Sequence, residues 1–287
     1  MRNFSDHATS RARSAVWPQT GIVDAATRLD PRRKGSSAEF LLSSLDRAGV
    51  AAAIVFSEVA GEYDACLAGM QSSAAGRLLC VPHIDVFSSN ALEAQQSSLA
   101  WGCRAIALSA MGSFQSPVRR IALDSIESTP LWRVAAETGQ LIVVEPSVDD
   151  AHFLPLLAAA FPSVRVLVRG GLISRMAGSG AVRTLPSPDR FTFDRLHQLE
   201  NVWVQFSPAN ARRVRTSPPG TPGGWHAPSN LLCLFSNARL LWGSEHLFDP
   251  TSVYQGPGDP NDEIPELSSA DRVALMGGVA RRLLQWI

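Results

Sequence analysis

The sequence Leu240-Leu241-Trp242-Gly243-Ser244-Glu245 is a short apolar run that stops at a carboxylate. Residues 21–28, 141–145 and 164–169 follow the same pattern, in which mostly apolar residues end on a charged side chain and a break follows. Strands of a parallel barrel are buried on both faces and read as near-continuous apolar runs. Their carboxyl ends meet at the mouth, where such barrels keep their chemistry. We therefore expect the four terminal charges to converge there. They are Arg28, Glu145, Arg169 and Glu245.

Short apolar runs alternate with helical patterns along most of the chain. We predict strands at 20–25, 51–56, 78–84, 104–108, 141–145, 164–169, 202–206 and 239–244, and a closing amphipathic helix at 268–286. Glycines end the helices that follow the first strand and the long loop at 109–128, namely Gly49 and Gly139. Long loops are also predicted at 170–188 and 208–228, which are rich in glycine and proline or serine.

The number and spacing of these units decide between two α/β folds. Eight strand-then-helix units match a (β/α)8 TIM barrel, which typically takes about 250 residues. An open doubly wound sheet would need a Gly-rich phosphate turn after its first strand, and residues 24–28 are no such turn. The sequence therefore predicts an α/β TIM barrel over residues 18–287, preceded by a flexible arm of residues 1–17.

Composition excludes several classes of protein. The 287 residues carry 26 basic and 26 acidic side chains, so no overall field favours nucleic acid or an anionic membrane. No apolar run approaches the ~20 residues that span a bilayer. The four cysteines lack the spacing of a disulfide framework or a zinc site. We expect a soluble cytoplasmic protein without nucleic-acid or membrane partners, and composition leaves a homodimer open.

Further marks accompany the barrel pattern in a fixed order. They are Asp24 in strand one, Asp46-Arg47-Ala48-Gly49-Val50, Gly76-Arg77, Trp132, the run 240–244 and Ala280-Arg281-Arg282-Leu283-Leu284. In this order and spacing the chain resembles the amidohydrolase superfamily, specifically the amidohydrolase-related branch that includes metal-dependent decarboxylases, hydrolases and lactonases. The resemblance covers nearly everything from residue 21 to residue 286, and it implies the same barrel.

The family's metal-ligand positions hold other residues here. The resemblance places the His-x-His of strand one on Ala26 and Arg28, and the histidines of strands five and six on Glu145 and Arg169. The aspartate of strand eight falls on Glu245. A guanidinium has no lone pair to give a metal, whereas zinc sites use imidazole, thiolate or carboxylate donors. We therefore expect neither a metal nor another cofactor.

These substitutions suggest a different chemistry at the mouth. Arg28 or Arg169 would bind a carboxylate through a planar two-pronged contact. Glu245 or Glu145 would be the general acid or base, with a pKa set by burial against a guanidinium. We predict a metal-independent hydrolase, lactonase, decarboxylase or dehydratase that acts on a small carboxylated substrate. The further candidates for substrate contact, each at or near a strand end, are His83, Gln205 and His246.

A catalytically silent barrel is the alternative. If neighbouring strands pair Glu145 with Arg169 and Arg28 with Glu245, the charges could simply fill the space of a lost metal. Such a barrel would bind a ligand or partner an active enzyme. Buried pairs seldom add stability over apolar residues of the same size, which favours a working site.

Overall fold

The architecture is taken from a computed structural model. It describes residues 21–30, 37–57, 64–74, 76–109, 128–144, 153–169, 195–208, 228–248, 253–262, 264 and 267–285. The predicted arm of residues 1–17, most of the three predicted long loops, and Glu145 lie outside the described residues.

Strands and helices alternate along the described residues. The strands are β1 Ile22–Leu29, β2 Val50–Ser57, β3 Leu78–Val81, β4 His83–Asp85, β5 Ala105–Ser109, β6 Leu141–Val144, β7 Val166–Val168, β8 Val202–Phe206, β9 Leu240–Trp242 and β10 His246–Phe248. The helices are α1 Ala38–Arg47, α2 Asp64–Ser73, α3 Ala91–Ala100, α4 Ser128–Thr138, α5 Leu154–Ala160, α6 Pro228–Arg239, α7 Ser269–Val273 and α8 Val279–Gln285, with a 3₁₀ turn at Pro260–Asp262 and a π-helical turn at Ala274–Gly278.

The strands are all parallel and form two hydrogen-bonded sheets, β10-β1-β2-β3 and β4-β5-β6-β7-β8-β9. A single residue, Pro82, separates β3 from β4, and the bend at 243–245 separates β9 from β10. Each pair is therefore one barrel strand that changes partner half-way, and the two sheets join into a ring of eight strands. The predicted (β/α)8 barrel is confirmed.

The strands are buried at nearly every position, and successive side chains alternate between an inner and an outer core. Inside the barrel lie Ile54, Phe56, Leu79, Val81, Val143, Leu167, Trp203 and Leu241, all buried. Intervening residues such as Ile84, Val168, Val204 and Trp242 pack outward against the helices. Since strand side chains alternate between faces, His83, Arg169 and Gln205 continue the inward rows toward the carboxyl ends of the barrel strands that contain β4, β7 and β8.

The closing helix seals the amino end of the barrel. Val279, Ala280, Leu283 and Leu284 of α8 belong to the inner core, and Arg165 donates to the backbone oxygen of Leu283 (3.3 Å). The prediction of one continuous helix at 268–286 is incomplete, because a π-helical turn divides it. Gly277 in this turn has φ 151°, and a Cβ there would lie 2.9 Å from the backbone nitrogen of Val23. Glycine therefore allows the turn to press against β1.

The ends of helices α1 and α4 reflect the chemistry of the residues there. Gly49 and Gly139 follow α1 and α4 in the left-handed conformation, with φ 67° and 70°, as glycines that end helices commonly do. The side chain of Ser37 caps α1 by accepting from the backbone N–H of Phe40 (3.2 Å). Strand β10 was not predicted, since residues 246–266 read as loop. Among the described residues, no helix has both the length and the apolar character that crossing a bilayer requires.

Candidate functional site

Charged, aromatic and imidazole side chains meet at the carboxyl end of the barrel. We call this group the mouth cluster and define it as Arg28, Phe56, His83, Arg169 and Glu245. Its members come from β1, β2, β4, the end of β7 and the bend between β9 and β10. The cluster lies above the apolar inner core, opposite the end that α8 seals.

An ion pair between Arg169 and Glu245 forms the centre of the cluster. The Nε and Nη2 atoms of Arg169 donate to the two carboxylate oxygens of Glu245 at 2.9 and 2.5 Å, which is the bidentate geometry of a strong charged pair. The Arg169 side chain is 7% exposed and that of Glu245 is 17% exposed. The guanidinium carbon of Arg169 also lies 4.2 Å from the centroid of the Phe56 ring, a cation–π contact. These contacts fix Arg169 from two sides.

Arg28 is the second cation on the same carboxylate. Its Nε donates to the backbone oxygen of Glu245 at 3.0 Å and lies 3.7 Å from the carboxylate Oε2. The Arg28 side chain is 27% exposed, more than either partner. The triad of Arg28, Arg169 and Glu245 therefore has two guanidinium groups, one carboxylate and one net positive charge. Its more accessible cation is Arg28.

The backbone of Glu245 is in an unusual conformation. Its φ of 54° is in the left-handed region, which residues other than glycine seldom occupy. The backbone N–H of Glu245 donates to the oxygen of Ala26 at 2.8 Å, so the bend stays bonded to β1. Non-glycine residues in this region cost of order 1–3 kcal/mol and are found often at functional sites.

Asp24 supports the bend from behind the mouth. One of its carboxylate oxygens accepts from the backbone N–H groups of Ala26 (3.1 Å) and Ser244 (2.7 Å), and the other accepts from the Tyr254 hydroxyl (2.6 Å). Burial raises the pKa of Asp24 to about 6, although these hydrogen bonds act in the opposite direction. From the amino half of β1, Asp24 therefore holds the bend and the segment around Tyr254 together. Sequence reasoning missed Tyr254, whose separation of 230 residues gives no local signal.

The closure between β1 and the bend leaves no room for a side chain at Gly243. A Cβ built there would lie 2.5 Å from the backbone nitrogen of Ala26 and 2.9 Å from its Cβ. Overlap this close with backbone would force the two strands apart. Gly243 therefore allows the approach that places Glu245 over the mouth.

His83 enters the cluster with an unsatisfied ring nitrogen. Its Nδ1 atom is buried and has no hydrogen-bond partner among the described residues. Burial, and secondarily repulsion from Arg169, lowers the pKa of His83 to about 4. The imidazole is therefore neutral at neutral pH, so it can make a hydrogen bond without adding charge. Asp85, two residues further on, accepts from the backbone N–H of Phe87 (3.1 Å) in the turn after β4.

Two further residues, Gln205 and His246, were predicted to contact the substrate. Gln205 is fully buried, follows the same register as Arg169 and donates to the backbone oxygen of Phe206 (3.0 Å). The ring of His246 instead packs in the outer layer, with centroid distances of 5.4 Å to Phe248 and 5.3 Å to Tyr254. Burial, and secondarily Arg28, lowers the pKa of His246. For both residues, substrate contact stays a prediction.

The ion pairs differ from those expected between neighbouring strands. Arg28 does approach Glu245, but the bidentate partner of Glu245 is Arg169. The predicted pair of Glu145 with Arg169 lies outside the described residues, as does any other contact of Glu145. Sequence reasoning also missed Phe56, although it is the last inward aromatic residue of β2 and packs on Arg169.

The donor atoms described at the mouth do not fit a divalent metal ion. No group of three or more His, Cys, Asp or Glu side chains within the described part of the chain could hold one. Both carboxylate oxygens of Glu245 already accept from Arg169, and Arg28 adds a second positive charge. A cation placed here would meet two guanidinium groups before it met enough donors.

Comparison with known proteins identifies the fold. No protein-family model and no curated protein sequence matches the chain. A zinc-bound amidohydrolase from Burkholderia multivorans has a similar structure, with a TM-score of 0.60 at 14% identity over 92% of this chain and 99% of that one. The chain has the fold of the amidohydrolase barrels.

Two further solved structures of this fold have named substrates. A probable 2-pyrone-4,6-dicarboxylic acid hydrolase from Acinetobacter baumannii, with citric acid bound, gives a TM-score of 0.62 at 11% identity over 92% of this chain and 99% of that one. A 5-carboxyvanillate decarboxylase from Novosphingobium aromaticivorans, with bound manganese and a nitrobenzoic acid, gives a TM-score of 0.58 at 12% identity over 94% of this chain and 99% of that one. At these identities the likeness establishes the fold alone.

Proposed function

We propose that the chain is a metal-independent enzyme of the amidohydrolase fold, a hydrolase or lyase that acts on a small carboxylated molecule. The observation that carries this proposal is the meeting of two guanidinium groups on one carboxylate at the mouth of the barrel. Two guanidinium groups at the mouth suit an anionic ligand. Arginine is suited to carboxylates because its planar fork can donate two parallel hydrogen bonds.

Within the triad, we assign carboxylate binding to Arg28. Arg169 is committed to Glu245 through both of its bonded nitrogens and stacks on Phe56, so it serves chiefly to hold Glu245 in place. Arg28 has the largest exposed fraction of the three side chains, 27%. A carboxylate that approaches the mouth would therefore reach Arg28 first.

The donor chemistry of the mouth supports our proposal of metal independence. The two arginines occupy positions where the family resemblance implies histidine ligands, and Arg169 takes up the carboxylate that would have bound the metal. Glu245 can still act in proton transfer, since a carboxylate has about four lone-pair sites and the bidentate contact uses one on each oxygen. Glu245 and Glu145 therefore remain our candidates for general acid or base.

Names of the similar structures agree with a carboxylated substrate. The Acinetobacter protein is described as acting on a dicarboxylic acid and contains citric acid, and the Novosphingobium enzyme is described as a carboxyvanillate decarboxylase. Both ligand classes carry the carboxylate that an arginine would bind. This likeness supports the substrate class and does not choose the reaction.

Ligand-induced stabilisation tests the assignment of Arg28. Citrate, succinate and 2-pyrone-4,6-dicarboxylate would be titrated while the melting temperature is measured. A ligand at a hundredfold excess over its dissociation constant stabilises the folded state by about 2.7 kcal/mol. We expect this stabilisation in the unaltered protein, its loss in Arg28→Met, and a weaker response in Arg28→Lys, which keeps the charge but not the fork.

A matched control separates this site from general charge effects. Arg104 is exposed just before β5, at the opposite end of the barrel, so Arg104→Met removes the same charge away from the mouth. It should leave the ligand response unchanged. Equal loss in both variants would mean that the acids act through overall charge, and stabilisation that persists in Arg28→Met would place the ligand elsewhere.

The silent barrel remains the second candidate, because one feature of the cluster favours it. Both carboxylate oxygens of Glu245 accept from Arg169, so this pair could fill the mouth as a structural plug. In that case none of the acids would stabilise the unaltered protein, and Arg28→Met would alter only its stability. That outcome would replace the enzyme proposal with a silent barrel whose mouth is plugged, whereas an acid that binds without being turned over would point to a silent barrel that binds a ligand.

A further inference from the structure

A buried nitrogen without a partner marks a second polar contact at the mouth. Nδ1 of His83 is excluded from solvent, and no described residue forms a hydrogen bond with it. Buried polar atoms in folded proteins almost always have a partner, so each exception calls for a specific explanation. His83 belongs to the same inward row as Leu79 and Val81, which places its ring above the inner core and within the mouth cluster.

The chemistry of the site limits what can satisfy this nitrogen. Arg169 is close enough to affect His83 electrostatically, yet its Nε and Nη2 are bonded to Glu245. A neutral imidazole has one N–H and one bare nitrogen, so a carboxylate, which only accepts, can pair with Nδ1 only when Nδ1 carries the proton. A hydroxyl group both donates and accepts. It can therefore pair with Nδ1 whichever ring nitrogen carries the proton.

We propose that Nδ1 of His83 binds a hydroxyl group of the ligand, so that the site selects hydroxylated carboxylic acids over the same acids without the hydroxyl. This inference rests on the proposed function, since Arg28 must first anchor the carboxylate. His83 then acts as a specificity-determining residue: it forms a hydrogen bond with the hydroxyl group of the ligand and does not itself bind the carboxylate.

Matched pairs of ligands test the proposal on the unaltered protein. Malate and succinate differ by one hydroxyl, as do lactate and propionate, and both enantiomers of each hydroxy acid would be titrated by calorimetry. A net hydrogen bond between neutral partners corresponds to roughly fivefold in affinity. We expect at least one hydroxy acid to bind about five times more tightly than its partner.

Two variants assign that preference to His83. His83→Phe keeps a ring of similar size but removes both nitrogens, so the affinity ratio should fall to about one while the anchor at Arg28 remains. His83→Asn keeps a polar atom near the position of Nδ1 and should retain part of the preference. Melting curves of each variant without ligand show whether it is folded. If His83→Phe is unfolded, the comparison of hydroxylated and plain acids on the unaltered protein decides the matter.

Three other outcomes would contradict either the role of His83 or the proposed function. Equal affinities for hydroxylated and plain acids overturn the assignment of His83 and leave the proposed carboxylate site intact. A preference that is unchanged in His83→Phe means that another group reads the hydroxyl. Binding of none of the acids counts against the proposed function itself and removes the basis for the role of His83.

Discussion

Replacing Glu245 should cost more stability than replacing Arg169, although the two side chains form one ion pair. Their hydrogen bonds are 2.9 and 2.5 Å long, and their side chains are only 17% and 7% exposed. Removing one member of a buried pair strands the other and costs roughly 3–5 kcal/mol. Glu245→Gln removes the charge of the carboxylate that both Arg28 and Arg169 contact, and we expect a loss of about 3 kcal/mol because exposure is partial.

Arg169→Met has a milder expected effect because Glu245 keeps a second cation. Arg28 lies 3.7 Å from its carboxylate, so the charge is not stranded. We expect a loss of about 1–2 kcal/mol, and the double variant should show a coupling energy of at least about 1 kcal/mol. Urea unfolding followed by tryptophan fluorescence measures all four proteins, since the chain contains seven tryptophans.

A surface ion pair provides the matched control for this double-mutant cycle of Arg169 and Glu245. Arg272 and Asp259 are joined at 2.8 Å, but their side chains are 43% and 37% exposed. Exposed pairs typically contribute about 0–1 kcal/mol, so a cycle of Arg272→Met and Asp259→Asn should show little coupling. The reasoning fails if the mouth pair couples no more strongly than this surface pair, or if Arg169→Met costs as much as Glu245→Gln.

Three further predictions concern the supports of the mouth. Gly243→Ala should lower the free energy of unfolding by about 1–3 kcal/mol, measured by urea unfolding, since its Cβ would overlap the backbone of Ala26; an unchanged stability would contradict the close approach. Because the folded-state pKa of Asp24 is raised from 3.8 to about 6, the folded protein binds the extra proton and loses stability as pH rises through that window, by about 3 kcal/mol in total. Asp24→Asn should remove this pH dependence. Relative to the unaltered protein, the free energy of unfolding of the variant should therefore rise by about 3 kcal/mol between low pH and neutral pH. A difference that does not change with pH would refute the assignment. Histidines at Ala26 and Arg28 together should not create a tight zinc site, because Arg169 still occupies the carboxylate; about one zinc per chain by elemental analysis of that variant would show that Arg169 can be displaced.

The barrel could be predicted because its determinants are local and repeated. Strands buried on both faces need apolar residues at nearly every position, and glycines such as Gly49 and Gly139 end the intervening helices. The breaks within two barrel strands could not be predicted in the same way. Pro82 gives one signal, since it has no N–H for the ladder. The bend at Glu245 gives none, because a left-handed glutamate is held by contacts distant in sequence.

The charged members of the mouth cluster could be predicted, but their pairing could not. Alternation along strands places Arg169 and Glu245 at the mouth, and sequence reasoning selected both. It assumed that charges pair between adjacent strands, whereas β7 and β10 are not neighbours in the ring. A long arginine side chain reaches across a barrel mouth as readily as to the next strand. Side-chain reach, and the support of Phe56 beneath Arg169, depend on three-dimensional packing that periodicity does not encode.

The energetics of the bend favour a working site over a structural plug. A glutamate at positive φ costs stability that glycine would avoid, and a buried ion pair seldom offsets its own desolvation. A barrel maintained for stability alone would gain by placing glycine at position 245 and an apolar residue at 169. What the bend and the pair achieve together is position: they hold one carboxylate beside the more exposed Arg28, within a cluster that also contains the unsatisfied nitrogen of His83. Ligand binding would account for this arrangement, and for that reason Arg28 and His83, not the central pair, are the residues that distinguish a ligand-binding site from a structural plug.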